Sequence, residues 1–430
     1  MIRIYDYPGI PAQFFDREAG LGTDKAVSAA AEQIIAGVRA RGDDAIFEYS
    51  ERLDGVCPEN LRVSQEEIDG AYNSLDSDFI KILELAAENI RVFHEKQVTH
   101  GYLDASRPGI VLGRRITAIE RVGIYAPGGT AAYPSTVLMI AIPAKIAGVK
   151  NLVMCTPPRG GINPAILAAA KIAGVDEIYA VGGAQAVAAM AYGTKTIPRV
   201  YKIVGPGNAY VAEAKRLVFG QVDIDMIAGP SDVLVIAEEP APPNCIAADM
   251  LAQAEHDKNS SAILLTTSKR LAREVAEEIE KQLGTLPRRE IAGAAIENNS
   301  MIGVVPDLAT ALELSNRVAP EHLELAVAEP LAMLGGVTNA GSVFLGLHSP
   351  EALGDYLAGP NHTLPTMGTA RFSSGLSVDD FVKKSTFTYY EKDALRGVAD
   401  SVAAFARSEG LDAHARSVEM RFETLPADED

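Results

Sequence analysis

From Glu120 to about Leu345 short apolar runs alternate with helical ones, mostly Ala-rich, and no other feature limits the fold of this chain so tightly. Val122–Ala126 reads as a strand and 135–148 as a helix. Leu152–Cys155 then precedes 163–174, Glu177–Val181 precedes 184–193, and Lys202–Val204 precedes 208–219. Each strand is mostly apolar and is followed closely by Gly or Pro, the pattern of strands buried on both faces of an open parallel sheet. The rhythm resumes with the strands Val233–Ala237, Ser261–Thr267, Met301–Val305 and Gly341–Leu345 and the helices Lys269–Leu283 and Leu308–Val318. A second α/β lobe facing the first, with a cleft between them, is expected.

In such sheets a ligand sits outside the carboxyl ends of the strands. The loops falling there are Tyr125-Ala-Pro-Gly-Gly-Thr130, Gly182-Gly-Ala-Gln185 and Gly205-Pro-Gly-Asn208. No Gly-x-Gly-x-x-Gly follows any of these strands, so the loops suit a nucleotide or an anion, or serve only as tight turns.

Outside the alternation, residues 1–20 read as an arm with little periodicity, while Asp24 to about Gly55 and Ser64 to Lys96 are helical. His94 and His100 close that section as expected surface residues. In the tail, Lys392–Ser408 and Asp412–Thr424 are amphipathic with little β character. About 50 residues of helix and loop bury too little alone, so this tail must dock on its own chain or on a partner.

A chain of 430 residues has room for two or three domains. With 57 acidic against 39 basic residues the net charge is −18, which argues against nucleic acid or an anionic membrane as partner. The first residues, Met-Ile-Arg-Ile-Tyr-Asp-Tyr-Pro, lack the pattern of a signal peptide, and no apolar run is long enough to span a bilayer. Cys57, Cys155 and Cys245 have no CxxC spacing, which excludes a cysteine zinc cage or disulfide framework and fits a reducing, cytoplasmic compartment. Cys155 and Cys245 are expected to be packing residues.

The chemistry concentrates late. Asn244 to Asp257 reads as a helix capped by Asn244, with Gln253 and His256 three residues apart on one face, half of a metal site at most. Pro320-Glu321-His322 sets an acid beside an imidazole at a Pro-marked boundary, Asp355 precedes Pro360-Asn361-His362, and Glu409 and His414 flank a helix start. Singly each suits a plain surface or capping role. Jointly, one Gln, one Asp and two His form a sulfur-free N/O ligand set, the kind found in catalytic zinc sites, and leave Glu321 and His322 for proton transfer.

At these residues the chain resembles the histidinol dehydrogenases. The likeness lies in Glu120-Arg-Val-Gly-Ile-Tyr125-Ala-Pro-Gly-Gly, Gly182-Gly-Ala-Gln185-Ala, Gly205-Pro-Gly-Asn208-Ala-Tyr and Ala228-Gly-Pro-Ser231-Asp. It continues in Leu251-Ala-Gln253-Ala-Glu-His256-Asp, Ala319-Pro-Glu321-His322-Leu-Glu and Gly354-Asp355-Tyr-Leu-Ala-Gly-Pro-Asn-His362. It runs from about residue 20 to the C-terminus. The resemblance implies oxidation of L-histidinol through L-histidinal to L-histidine, the last steps of histidine biosynthesis, with two NAD reduced. It implies two facing, incomplete Rossmann-like lobes with parallel sheets, aldehyde-dehydrogenase-like, plus a helical C-terminal arm. On that scheme 1–20 is an N-terminal arm and 21–118 with 237–375 form a first lobe bearing the metal and catalytic residues. Residues 119–236 form a second, NAD-binding lobe, and 376–430 a helical dimerisation arm.

By the same resemblance Gln253, His256, Asp355 and His414 hold one zinc ion (Zn2+) per subunit. Ser231 and Glu409 join them and His322 around the substrate, and Tyr125, Gln185 and Asn208 line the NAD site. His322 is the general base and Glu321 activates water. A homodimer is implied in which Glu409 and His414 complete the partner's site. Two other readings remain: a relative with the same machinery for another alcohol, such as a sulfonated diol, and a metal-dependent binding protein or hydrolase without redox chemistry. Glu409 and His414, the imidazole-recognising end in the family, argue against the first of these.

Overall fold

The computed structural model describes residues 2–15, 25–56, 58–128 and 133–423. Gly129 and Thr130 of the first expected loop, residues 16–20 of the arm, Cys57 and Thr424 lie outside them. In chain order the elements are β1 (Arg3–Asp6), α1 (Lys25–Arg41), α2 (Asp43–Tyr49), α3 (Gln65–Ser74), α4 (Ser77–Glu95), β2 (Tyr102–Asp104) and β3 (Ile110–Ala118). Next come β4 (Arg121–Tyr125), α5 (Pro134–Ile146), β5 (Asn151–Thr156), α6 (Pro164–Ala173), β6 (Glu177–Ala180), α7 (Gly183–Tyr192), β7 (Lys202–Val204), α8 (Ala209–Val218) and β8 (Asp223–Ile224). The alternation continues with β9 (Asp232–Ala237), α9 (Pro243–Ala254), β10 (Ser261–Thr266), α10 (Lys269–Leu283), α11 (Arg289–Asn299) and β11 (Met301–Val304). Then follow α12 (Leu308–Val318), β12 (His322–Ala326), α13 (Pro330–Leu334), β13 (Ser342–Leu345) and α14 (Glu351–Tyr356), and finally β14 (Val382–Tyr390), α15 (Lys392–Arg396), α16 (Ala399–Ser408) and α17 (Asp412–Glu423).

Two compact units result: Met1–Val98 with Ile119–Phe381, and Thr99–Ala118 with Val382–Asp430. The first holds two all-parallel sheets, ordered β6-β5-β4-β7-β8 and β1-β11-β10-β9-β12-β13. Their central strands are buried along their whole length, as β9 and β10 show, because helices cover both faces. One face of the five-stranded sheet packs α3 to α6 through residues such as Ile68, Leu83, Ile90, Leu138 and Ile166; the other packs α1, α2, α7 and α8 through Ile34, Val38, Ile46, Val187 and Val211. The six-stranded sheet is covered by α9, α10 and α11 on one face, and on the other by α12 with Ile10 and Phe14 of the arm.

Four expectations change here. The helices of 21–118, expected with the metal-bearing lobe, pack on the five-stranded sheet. Each of Ile34, Val38, Leu83 and Ile90 is worth roughly 1.5–3 kcal/mol once buried, and they cluster with α5 to α8 and with the strands of the five-stranded sheet. The arm is no irregular segment, since β1 pairs in parallel with β11. The region 376–430 is not wholly helical: β14 pairs antiparallel with β3 over nine residues, from Val382↔Ala118 to Tyr390↔Ile110. Its exposed Lys, Thr, Phe and Tyr give no apolar face to read, though Thr, Phe and Tyr favour strands. His94, expected at the surface, is buried, its Nδ1 2.7 Å from Gln97 Oε1; His100 is exposed. Among the described residues no helix is long and apolar enough to cross a membrane.

Candidate functional site

The catalytic candidates stand at the amino ends of the six-stranded sheet. Asp232 opens β9 with Ser231 just before it, and His322 opens β12 beside it with Glu321 just before, His322 pairing with Val233. Two backbone bonds lock the pair: Asp232 N–H donates to Glu321 Oε2 at 3.1 Å, and Glu321 N–H donates to Asp232 Oδ1 at 2.6 Å. The Ser231 hydroxyl adds a bond to the Glu321 carboxylate. Burial, and then the charge of Asp232, hold the Glu321 carboxyl well above its ordinary pKa. Burial lowers His322 to about 3, so the imidazole is neutral.

Gln253 lies in the last turn of α9, fully buried. The helix starts at Pro243, whose fixed φ suits a first turn, so Asn244 is not its cap. It ends at Ala254, so His256 lies beyond it, its N–H donating to the Gln253 carbonyl at 3.3 Å. With the Gln253 amide nitrogen turned inward it donates to Glu351 Oε1 at 2.8 Å, to Glu351 Oε2 at 3.0 Å and to His322 Nδ1 at 3.0 Å. The same Nδ1 stands 3.3 Å from the Asp232 carbonyl, which needs Nδ1 as the donor. These two roles exclude each other, so the Gln253 amide and the His322 tautomer turn together. Only with the proton on Nδ1 is Nε2 bare, and Nε2 is buried without a hydrogen-bond partner.

The short helix α14 brings Glu351 and Asp355 back to this end. His256, Glu351 and Asp355 present ligand atoms all within 4.8 Å of one another, a set of one imidazole and two carboxylates. Burial raises Asp355 to about 6, and burial with the charges of Asp355 and Glu321 raises Glu351 well above the carboxylate range. Carboxyls crowded in this way repel as anions, and a divalent cation among them would offset that repulsion. N/O donors of this type fit zinc or manganese, with Gln253 within reach of the same group. His362 closes the cluster: Nδ1 is 3.0 Å from the Asp355 carbonyl and Nε2 is 3.3 Å from Thr136 Oγ1 on α5, and burial lowers it to about 4. His362 stands out in the sequence only by its spacing from Asp355, and Glu351 and Thr136 do not stand out at all. Their part arises from chain return, for which local spacing carries no signal.

Facing these residues are the carboxyl ends of the five-stranded sheet. A cavity of about 300 Å³ is lined by Ser231, His256, His322 and Asp355 on one side and by Pro127, Gly205, Pro206 and Gly207 on the other. The carboxyl-end rule thus holds for one sheet, while the other contributes its amino ends. The Tyr125 ring is buried, its hydroxyl accepting from Gly183 N–H at 3.0 Å. Gln185 is buried with Nε2 3.4 Å from Asp54 Oδ2 and with Oε1 unpartnered, as is Thr156 Oγ1 at the end of β5. Asn208 caps α8 through Tyr210 N–H and Val211 N–H, both at 3.1 Å. The unpartnered Gln185 and Thr156 oxygens beside glycine-lined turns fit a polar ligand laid over these loops.

Glu409 and His414 belong to the second unit, both exposed, on either side of the turn joining α16 to α17. Arg407 fixes that turn, pairing with Asp412 and with both oxygens of Glu419. No described cysteine is placed as a nucleophile. Cys155 is buried in β5 with its thiol pushed up to about 12, and Cys245, expected in packing, lies exposed on α9.

Residues 19–422 match the profile of the family described as histidinol dehydrogenase. The chain is 55% identical over 401 residues to the histidinol dehydrogenase of Bacillus cereus, covering 93% of this chain and 94% of that one. To the enzyme of Geobacillus kaustophilus it is 56% identical over 392 residues, 91% and 92% of the two chains. The crystal structure of histidinol dehydrogenase from Elizabethkingia anophelis matches with a TM-score of 0.92 at 39% identity, over 99% of each chain.

Proposed function

The chain belongs to the histidinol dehydrogenase family, and from that premise we propose that it oxidises L-histidinol through L-histidinal to L-histidine at one site, reducing two NAD in succession. The observation carrying this reading is the neutral His322, whose unpartnered Nε2 belongs to a residue on the same cavity wall as His256 and Asp355 of the donor set, opposite the Gly205 loop.

We assign one zinc per subunit to Gln253, His256 and Asp355, with His414 supplied by a partner chain. A zinc bound there would orient the amino and imidazole nitrogens of the substrate, and Ser231, with the partner's Glu409, would complete the enclosure. NAD, against the loops after β4, β6 and β7 that hold Tyr125, Gln185 and Asn208, supplies the hydride acceptor. A cavity of about 300 Å³ suits the substrate and the reactive end of a cofactor, the remainder lying along the open loops. A cytoplasmic homodimer is the assembly this reading requires.

In the first oxidation His322 takes the hydroxyl proton at Nε2 as the alcohol carbon loses its hydride. The Asp232 carbonyl holds the ring by accepting from Nδ1. The second oxidation begins when water adds to the aldehyde, and Glu321 takes the proton of that water. Desolvation makes Glu321 a stronger base than a solvated carboxylate, and the Asp232 N–H and Ser231 hydroxyl keep it in place. No thiol intermediate is needed. The test is Glu321→Ala assayed with each substrate. Oxidation of L-histidinol to the aldehyde should persist, while oxidation of L-histidinal slows by about 10²-fold or more. Equal loss of both steps would remove Glu321 from water activation.

A further inference from the structure

Lys215 on α8 and Asp225, just after β8, form an ion pair that the chemistry above does not use. Their side chains are only 2% and 1% exposed. A pair this deep is unfavourable unless further hydrogen bonds complete both groups. Two of those bonds converge on one residue. Asp225 Oδ2 accepts from Gly205 N–H at 2.8 Å, and Lys215 Nζ donates to the Gly205 carbonyl at 2.9 Å. Asp225 Oδ1 takes Met226 N–H at 2.7 Å. Gly205 has φ +124°, and a Cβ there would lie 2.2 Å from the Tyr125 carbonyl oxygen, so the position admits only glycine. A loop that has left its sheet at Val204 is thereby held at both polar groups of a single residue, by two opposite charges. Lys215, Asp225 and Gly205 all line the cavity.

We propose that the Lys215–Asp225 pair is a positioning device for the cofactor, holding Gly205–Asn208 in the NAD-receiving conformation before NAD arrives. The inference rests on the reading of the β7 loop as part of the NAD site. Both residues act through the loop, so they are positioning residues. The metal and base candidates sit on the other sheet, so loss of the pair weakens NAD binding and spares the substrate.

The test removes both charges at once, Lys215→Met with Asp225→Asn, so that neither is left buried alone. Binding of NADH, followed by its fluorescence, should weaken by about tenfold or more through lost preorganisation, with KM for NAD rising in step and KM for L-histidinol within about twofold. Unchanged NADH affinity, or equal rises in both KM values, would overturn the positioning role. Failure of the unaltered enzyme to bind NADH would instead overturn the NAD reading itself. Hydrogen exchange on the unaltered enzyme needs no variant: the Gly205 amide should exchange slowly without NADH. Fast exchange that slows only on adding NADH would contradict a loop held in advance.

Discussion

At the scale of single residues, the pair Glu321-His322 is legible because an acid and an imidazole adjoin after a proline, yet their different states are not. Those states come from burial: it lowers His322 and, with Asp232, raises Glu321. The water-activating step needs the ionised form of Glu321. Because its pKa is lifted well above 4.5, that form is lost as pH falls through the raised value. Oxidation of L-histidinal should therefore fail at a higher pH than oxidation of L-histidinol, and Glu321→Ala should erase this acidic limb from the residual second step. Parallel acidic limbs for both oxidations in the unaltered enzyme would contradict the assignment. Glu351 shows what residue types leave out: it meets Gln253 from nearly a hundred residues away, through a turn that no local pattern announces.

At the scale of elements, the alternation placed β7, α10 and α12 with the bounds observed, because their apolar positions recur without interruption. It missed β12, a fully buried strand that begins with His322 and carries Glu324, since charged residues in a core strand defeat any apolar pattern. Glu324 has a structural use. Its Oε1 accepts Glu351 N–H at 2.8 Å at the start of α14, and its carboxyl bonds to Asp249 on α9. Burial raises Asp249 to about 6, and burial with the charge of Asp249 raises Glu324 to about 8. A carboxyl whose pKa rises on folding favours the folded state while protonated, so this pair costs stability as pH climbs from its unfolded value near 4 toward 8. Glu324→Gln keeps an acceptor for Glu351 N–H and removes the charge. It should raise Tm at pH 8 by about 1–3 °C and leave Tm at pH 5 nearly unchanged. A uniform drop at both values would show that the shared proton is not what the pair contributes.

At the scale of the whole molecule, the sequence predicts two α/β lobes and a metal-type residue set, and both parallel sheets follow from its rhythm. That one sheet would offer its amino ends, and that β14 and β3 would join distant segments into a second unit, depend on tertiary pairing that composition does not encode. Glu409 and His414 ride on that second unit, and the proposed dimer has them serve the partner. Mixed dimers decide this. His256→Ala and His414→Ala chains, each inactive alone, should recover about a quarter of normal activity after co-refolding if arms cross, because one site in each mixed dimer is then intact. No recovery from verified mixed dimers would place each arm on its own chain. The account as a whole stands on metal-dependent four-electron oxidation. Its most direct test is NADH formed per L-histidinol consumed, with and without a chelator: two NADH per substrate, abolished by chelation and restored by zinc, is the predicted result, and one NADH per substrate, or turnover indifferent to chelation, would contradict it.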